Sequence, residues 1–393
     1  MSAVRTAAVA AVLLIVLAAG LWVGGHPGKM PSFMRGAFVD DTGGLTVEAS
    51  ELIEDNYYRE VSEEELTDSS LQGMVRGLRR KNHDRFSDYL SPKLLERFNE
   101  AISGHFTGIG LTVLEVPRGL RASHVFRGSP AEEAGIEAGE VIVSVEGKSI
   151  AGTSSEAATA MIKGPEGTEV EIGVLDPASG KVRRLTLTRA EIEVPVVMSK
   201  VETVDGRKLG YVRLVAFSEG AHAFLRRAVE KVEREGAEGI VLDLRGNGGG
   251  LLQEAVLTAS IFLPEDRVVV STKSRTQGES VYRTTGDNLP RRPVVVLIDR
   301  NTASAAEILT AALADDMGAK VIGVRSFGKG VFQQEVGLSN GGALKLTIGE
   351  YFTPEGANLA GKGIHPDVPA RDLPGTARDE ARERALGVLA AEG

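Results

Sequence analysis

The chain has 393 residues, 42% hydrophobic and 25% charged, which is long enough for about two or three domains and too apolar for a disordered one. Its formal net charge of -9 at pH 7 comes from interspersed acids and bases, leaving no basic face for nucleic acid. The absence of cysteine excludes disulfides, thiolate metal sites and cysteine nucleophiles.

After Arg5, residues 6–25 (TAAVAAVLLIVLAAGLWVGG) carry no charge. At about 1.5 Å rise per residue, a helix of that length matches the roughly 30 Å hydrocarbon core of a bilayer. Arg5 and the amino terminus precede the run and no basic cluster follows it. The positive-inside rule therefore places the body outside the cytoplasm, as a single-pass protein of the cell membrane. The alternative, a signal peptide cleaved at a small-x-small site such as Val23 to Gly25, exports the body as well. A Gly/Pro-rich linker at residues 26–45 leads to residues 46–103, which read as helices. LIEDNYY and LTDSSLQGMVRGLRRK space their apolar positions by three and four, and Ser91 before Pro92 is a cap for SPKLLERFNEAI. This arm holds no catalytic constellation and reads as a packing or dimer-forming element, which leaves a homo-oligomer open.

At GHFTGIGLTVLEV the pattern changes to glycines and alternating β-formers. RASHVF, EVIVSVEG, TEVEIGVLD and KVRRLTLTRA read as short strands, with helical pieces SPAEEAGI and SSEAATAMIKG between them. Five or six strands and two helices make one domain over residues 104–193. The GIGL loop, SPAEEAGIEAGEVIVSVEG and the helix before KGPEGT resemble a PDZ domain of bacterial proteases. The resemblance implies capture of a peptide as an added strand, its terminal carboxylate held by the loop Gly108, Ile109, Gly110 and Leu111. Gly108 and Gly110 suit close backbone approach, although glycines beside a strand are also ordinary turn residues.

From residue 194 to 375 strand and helix alternate, predicting an α/β domain with a mostly parallel core. AFLRRAVEKVERE puts Phe224, Leu225, Ala228, Val229 and Val232 on one helical face, and GIVLDLRG is apolar without alternation, as for a strand buried on both faces. The tail, residues 376–393, closes with a polar amphipathic helix.

Three segments of this domain carry chemistry. In NTASAAEI, Ser304 stands where the strand PVVVLID gives way to a helix, as a cap or as a nucleophile. Of six histidines none shares that segment, and His365 in GKGIHPD is the one candidate base. The other candidate is Lys329 in VRSFGKGVFQQE, between two glycines after an apolar strand, where burial would disfavour the charged amine. GVRSFGKG approaches a phosphate-binding loop but ends in Gly330, without the magnesium-binding hydroxyl. Finally, LDLRGNGGGLL presents backbone amides at a helix start, as an oxyanion hole or a phosphate cradle.

In this order behind a PDZ-like domain, LDLRGNGGG, NTASAAEI, VRSFGKGVFQQ and YFTPEGANLAGKGIHPD strongly resemble the C-terminal processing (tail-specific) serine proteases, as does DRFSDYLSP before that domain. The resemblance implies a crotonase/ClpP-like α/β protease core with an inserted PDZ-like domain and an N-terminal helical arm. It implies a Ser304–Lys329 dyad, with Gln333 one helical turn beyond the lysine to orient it and Gln334 as the neighbouring choice. The oxyanion amides fall to Ala305 and Gly250, with Gly249 close behind. Lys163 matches loosely a carboxylate-sensing position of some relatives. Substrates would be C-terminal tails of exported or membrane proteins, with no metal or organic cofactor. Two other readings use the same residues: a non-catalytic peptide-binding or chaperone-like protein, and an acyl-CoA-handling enzyme of the crotonase type.

Overall fold

The computed structural model describes residues 41–372 and 378–391. The apolar run at residues 6–25 lies outside them, and among the described residues no helix is long and apolar enough to cross a membrane. The chain divides into two compact units, Met1–Ser91 with Glu335–Leu346, and Pro92–Gln334 with Thr347–Gly393.

In the first unit, α1 (Asp41–Asn56) and α2 (Glu63–Asn82) form the arm. Helix α2 starts in a capping box: the Glu65 amide donates to Ser62 Oγ at 3.2 Å and the Ser62 amide returns a bond to Glu65 Oε2 at 3.1 Å. The arm is not purely helical, because Asp88–Leu90 forms a strand, β1, pairing antiparallel with residues 343–345. The Tyr89 hydroxyl donates to Asp68 at 2.5 Å and accepts from Asn340 at 2.8 Å, long-range contacts that no local spacing announces.

The second unit opens with α3 (Pro92–Ser103) and continues through β2 (His105–Gly108), β3 (Leu111–Val116), β4 (Gly119–Val125), α4 (Pro130–Glu133), β5 (Val141–Val145), β6 (Lys148–Ser149), α5 (Ser155–Ile162), β7 (Glu169–Leu175), β8 (Val182–Thr188) and β9 (Ala190–Glu193). The sheet runs β3-β4-β5-β7-β8, with β6 on β5 and a separate β2–β9 pair. More strands form here than the sequence suggested, because β2, β6 and β9 are too short to show an alternating period. Ile109, Leu120, Ile142, Ile150, Val170 and Ile172 build the core of this domain.

Then follow β10 (Val197–Val204), β11 (Arg207–Leu214), α6 (Ala221–Arg234), β12 (Gly239–Asp243), α7 (Leu252–Phe262), β13 (Val268–Ser274), β14 (Gly278–Arg283), β15 (Val294–Ile298), α8 (Ala305–Met317), β16 (Lys320–Gly323), β17 (Val331–Gly337), β18 (Ala343–Phe352), β19 (Val368–Pro369) and α9 (Glu380–Ala391). A six-stranded sheet runs β10-β11-β12-β15-β16-β19, parallel from β11 onward. Every residue of β12 and β15 is buried, which explains their unbroken apolar runs. Val212, Leu214, Leu242 and Val296 face α6, α7 and α8, whereas Leu209, Val241, Val295 and Leu297 face α9. The last helix is therefore more than a polar tail: Ala381, Ala385, Leu386 and Leu389 are buried and cover one side of the sheet. VVVSTKS and ALKLTIGEYF, β13 and β18, leave the parallel core for a second, antiparallel sheet.

Candidate active site

Strands β12 and β15 are adjacent and parallel, Asp243 opposite Leu297, so the loops leaving their C-terminal ends are neighbours. Asn247 knits them together. Its carbonyl accepts from the Ala303 amide at 3.0 Å, its Nδ2 donates to the Leu214 carbonyl at 3.0 Å, and its Oδ1 accepts from the Gly249 amide at 2.9 Å. Thr302 adds a bond from its Oγ1 to the Leu244 carbonyl at 2.8 Å. Gly249, at φ +97°, lies so close that a Cβ there would sit 2.8 Å from Ser304 Cβ and 3.0 Å from the Ala305 amide nitrogen.

The same bonds separate the two glycines left open above. The Gly249 amide is spent on Asn247, while its carbonyl accepts from Phe217 at 3.0 Å and the Leu251 amide donates to Phe217 at 2.8 Å. The amides of Gly250 and Ala305 donate to no acceptor among the described residues. Two uncommitted N–H groups beside a serine are what an oxyanion hole requires.

Ser304 has φ 55° and ψ -120°, outside the left-handed helical well, a geometry costing about 1–3 kcal/mol for a residue with a side chain. It occupies a strand-turn-helix elbow, β15 to α8, that thrusts a side chain out of the chain path. The strain is held by Glu307, which is fully buried in the first turn of α8. Glu307 Oε2 accepts from the amides of Ser304 and Lys329, both at 2.9 Å, and Oε1 accepts from Ser326 Oγ at 2.5 Å and the Gly328 amide at 2.7 Å. One carboxylate thus ties the serine elbow to the lysine loop, at a helix N-terminus that favours negative charge. The loop amides that a phosphate would need are already given to this side chain.

Lys329 is half-buried, between Gly328, which has φ +82°, and Gly330. Gln333 does not lie on a helix; it is on β17, and Lys329 precedes that strand in the loop. It is half-buried and its Nε2 donates to Thr347 Oγ1 at 3.3 Å, while Gln334 is exposed and accepts from Gln277 at 3.1 Å. His365 is exposed, and the ring of His222 bonds Glu254 at 2.8 Å. Sequence reasoning passed over Glu307 and Asn247. For Glu307 the signal was present, a serine followed three residues later by glutamate.

In the smaller domain, Gly108–Leu111 joins β2 to β3. Gly110 has φ +83°, and a Cβ on it would lie 2.1 Å from Ser129 Cβ. Ile109 is buried in the core, and the Ile109 and Gly110 amides find no acceptor among the described residues. Strand β3 ends its sheet, leaving one edge without a partner strand among the described residues, and α5 flanks it through the Ser155 amide on Glu115 Oε2 at 2.6 Å. Lys163 pairs with Glu100 at 2.5 and 2.7 Å.

Residues 208–370 match Peptidase family S41, and residues 123–176 match the PDZ domain. The chain is 33% identical over 330 residues to the carboxy-terminal processing protease CtpA of Bacillus subtilis, covering 84% of this chain and 69% of that protein. With CtpB of the same organism it shares 32% identity, covering 81% of this chain and 66% of the relative. Several staphylococcal CtpA-like serine proteases are matched over only 62–63% of their length. The crystal structure of an S41 protease from Bacteroides fragilis overlays with a TM-score of 0.51 at 19% identity, over 88% of this chain and 97% of the other, which speaks for the fold alone. A PDZ domain of this kind suits the binding of peptide C-termini. A serine elbow beside uncommitted amides, on a chain with these relatives, has one home: it belongs to the S41 family of carboxy-terminal processing proteases, which are serine-type peptidases.

Proposed function

We propose that the chain is an endopeptidase with a Ser304–Lys329 dyad, cleaving exported or membrane proteins whose C-terminal tails it has first captured. The observation that carries this reading is the shared Glu307 carboxylate, which bonds the amides of both residues at 2.9 Å. The tail adds as a strand to the open edge of β3, its carboxylate on the loop Gly108–Leu111. Neutral Lys329 takes the Ser304 proton, and Oγ attacks the peptide carbonyl carbon. The amides of Ala305 and Gly250 hold the oxyanion. As the intermediate collapses, the C–N bond breaks and the lysine ammonium returns the proton to the leaving amine. Water, with Lys329 again as base, then releases the acyl group. Gln333 steadies the lysine from β17. In this reading residues 104–193 capture, residues 194–375 cut, and residues 6–25 carry the body across the membrane and hold it there.

The test is to incubate wild type, Ser304→Ala and Lys329→Ala with an unstructured protein and locate new termini by mass spectrometry. Each substitution is expected to lower the rate by about a thousandfold or more, with tail binding kept. His365→Ala is expected to cut normally. Cleavage that survives in Ser304→Ala removes the assignment.

A further inference from the structure

Tyr351 lies on β18 with 2% of its surface exposed, in the core cluster that also contains Ala305, Ala306 and Ile308 of α8. Its backbone is held against the lysine loop. The Tyr351 amide donates to the Gly330 carbonyl at 3.1 Å, and Asn358 Nδ2 donates to both the Gly330 and Tyr351 carbonyls at 3.2 Å. With the backbone so fixed, the ring has one course, into the core.

The phenol oxygen at its end is buried and has no hydrogen-bond partner among the described residues. Such an orphan is uncommon, since leaving a buried hydroxyl unpaired costs about 1–3 kcal/mol. Two polar groups stand near it, the Ser304 hydroxyl and the Glu307 carboxylate. Glu307 already accepts four donors, two on each oxygen, which fills its lone pairs. Ser304 Oγ is the acceptor that remains.

We propose that Tyr351 is a positioning residue for the nucleophile, its phenol O–H donating to one lone pair of Ser304 Oγ when substrate is bound. A serine hydroxyl has one proton and two lone pairs. With one lone pair held by the phenol and the other aimed at the carbonyl carbon, the proton is left pointing to the base. The phenol does not compete for that proton: burial, and then the charge of Glu307, push its pKa well above the ordinary value, so it stays a donor. The inference rests on the Ser304–Lys329 reading and adds a residue to it.

The test is Tyr351→Phe in the full chain, which removes the hydroxyl and keeps the ring. A fluorophosphonate probe reports the step directly: the Ser304 Oγ–P bond forms, the P–F bond breaks, fluoride leaves and the serine proton passes to the base. The labelling rate and the peptide kcat are expected to fall about tenfold or more, with KM and tail-peptide affinity unchanged. Tm should hold or rise, because an unpaired buried hydroxyl has been removed. Labelling as fast as wild type overturns the proposal, and so does a slower rate that comes with a lower Tm or lost tail binding. Wild type that takes no label at Ser304 defeats the dyad reading itself, whereas labelled wild type beside an equally fast variant defeats only the role of the phenol.

Discussion

A carboxylate with no exposed surface persists only when each of its oxygens is answered, and Glu307 has two donors on each. Glutamine at this position keeps the shape but turns an NH2 group toward two N–H or O–H donors. Two charge-assisted bonds are lost and two donors are left unpaired, a cost of about 3 kcal/mol or more. Because one oxygen holds the amides of Ser304 and Lys329 together, the cost falls on their relative placement. Glu307→Gln is expected to lower kcat at least about tenfold while leaving the affinity for a tail peptide at the wild-type value. Kinetics and tail binding measured on one preparation decide it, and an unchanged kcat would show that the elbow holds without the carboxylate.

Among elements, α9 has the clearest long-range tie. Asp379 stands just before the helix and accepts from the Arg382 amide at 2.9 Å, as a cap does. Its carboxylate also takes two bonds from Arg245, both at 2.8 Å, and Arg245 in turn holds buried Asp243 at 2.7 Å. The last helix is thereby bolted to the residue that starts the glycine-rich loop. Burial alone would raise the Asp379 pKa, but the bonds from Arg245 and Arg382 outweigh it and hold the carboxyl below its usual range. A depressed folded pKa stabilises the protein above the unfolded value, near about 3.9, and that stabilisation is lost as pH falls through the folded value. Asp379→Asn should therefore unfold at lower urea than wild type at pH 7, by about 1 kcal/mol after solvent screening, and the two midpoints should converge as pH falls below the depressed carboxyl value. A gap that stays constant across that range would assign the loss to packing instead of charge.

For the molecule as a whole, the proposed function assigns capture and cutting to different loops, and a substitution can separate them. Gly110 has a positive φ, and an added Cβ would meet Ser129 Cβ at 2.1 Å, so Gly110→Ala must displace the loop between β2 and β3. Tail-peptide affinity is expected to fall about tenfold, roughly 1.4 kcal/mol, with fluorophosphonate labelling of Ser304 unchanged. Equal tail affinity, measured by calorimetry on the full chain, would place the carboxylate elsewhere.

What residue order alone determined was the set of local units: the apolar strands β12 and β15, the glycine turn after one, the serine elbow after the other, and the glycine-flanked lysine. Strand, turn and helix start are short-range features, so spacing and residue type reveal them. Tertiary structure decided how those units are used. Gly249 and Gly250 are equivalent in sequence, and only the Asn247 side chain, folded back at 2.9 Å, consumes the amide of one and leaves the other uncommitted. Gln333, four residues beyond the lysine, reads from spacing as one helical turn away, and pairing with β18 puts it on the strand β17 instead. Glu307 joins the serine elbow to the lysine loop through hydrogen bonds to a segment about 20 residues away, and such contacts are set by packing and hydrogen-bond saturation, which have no period to read.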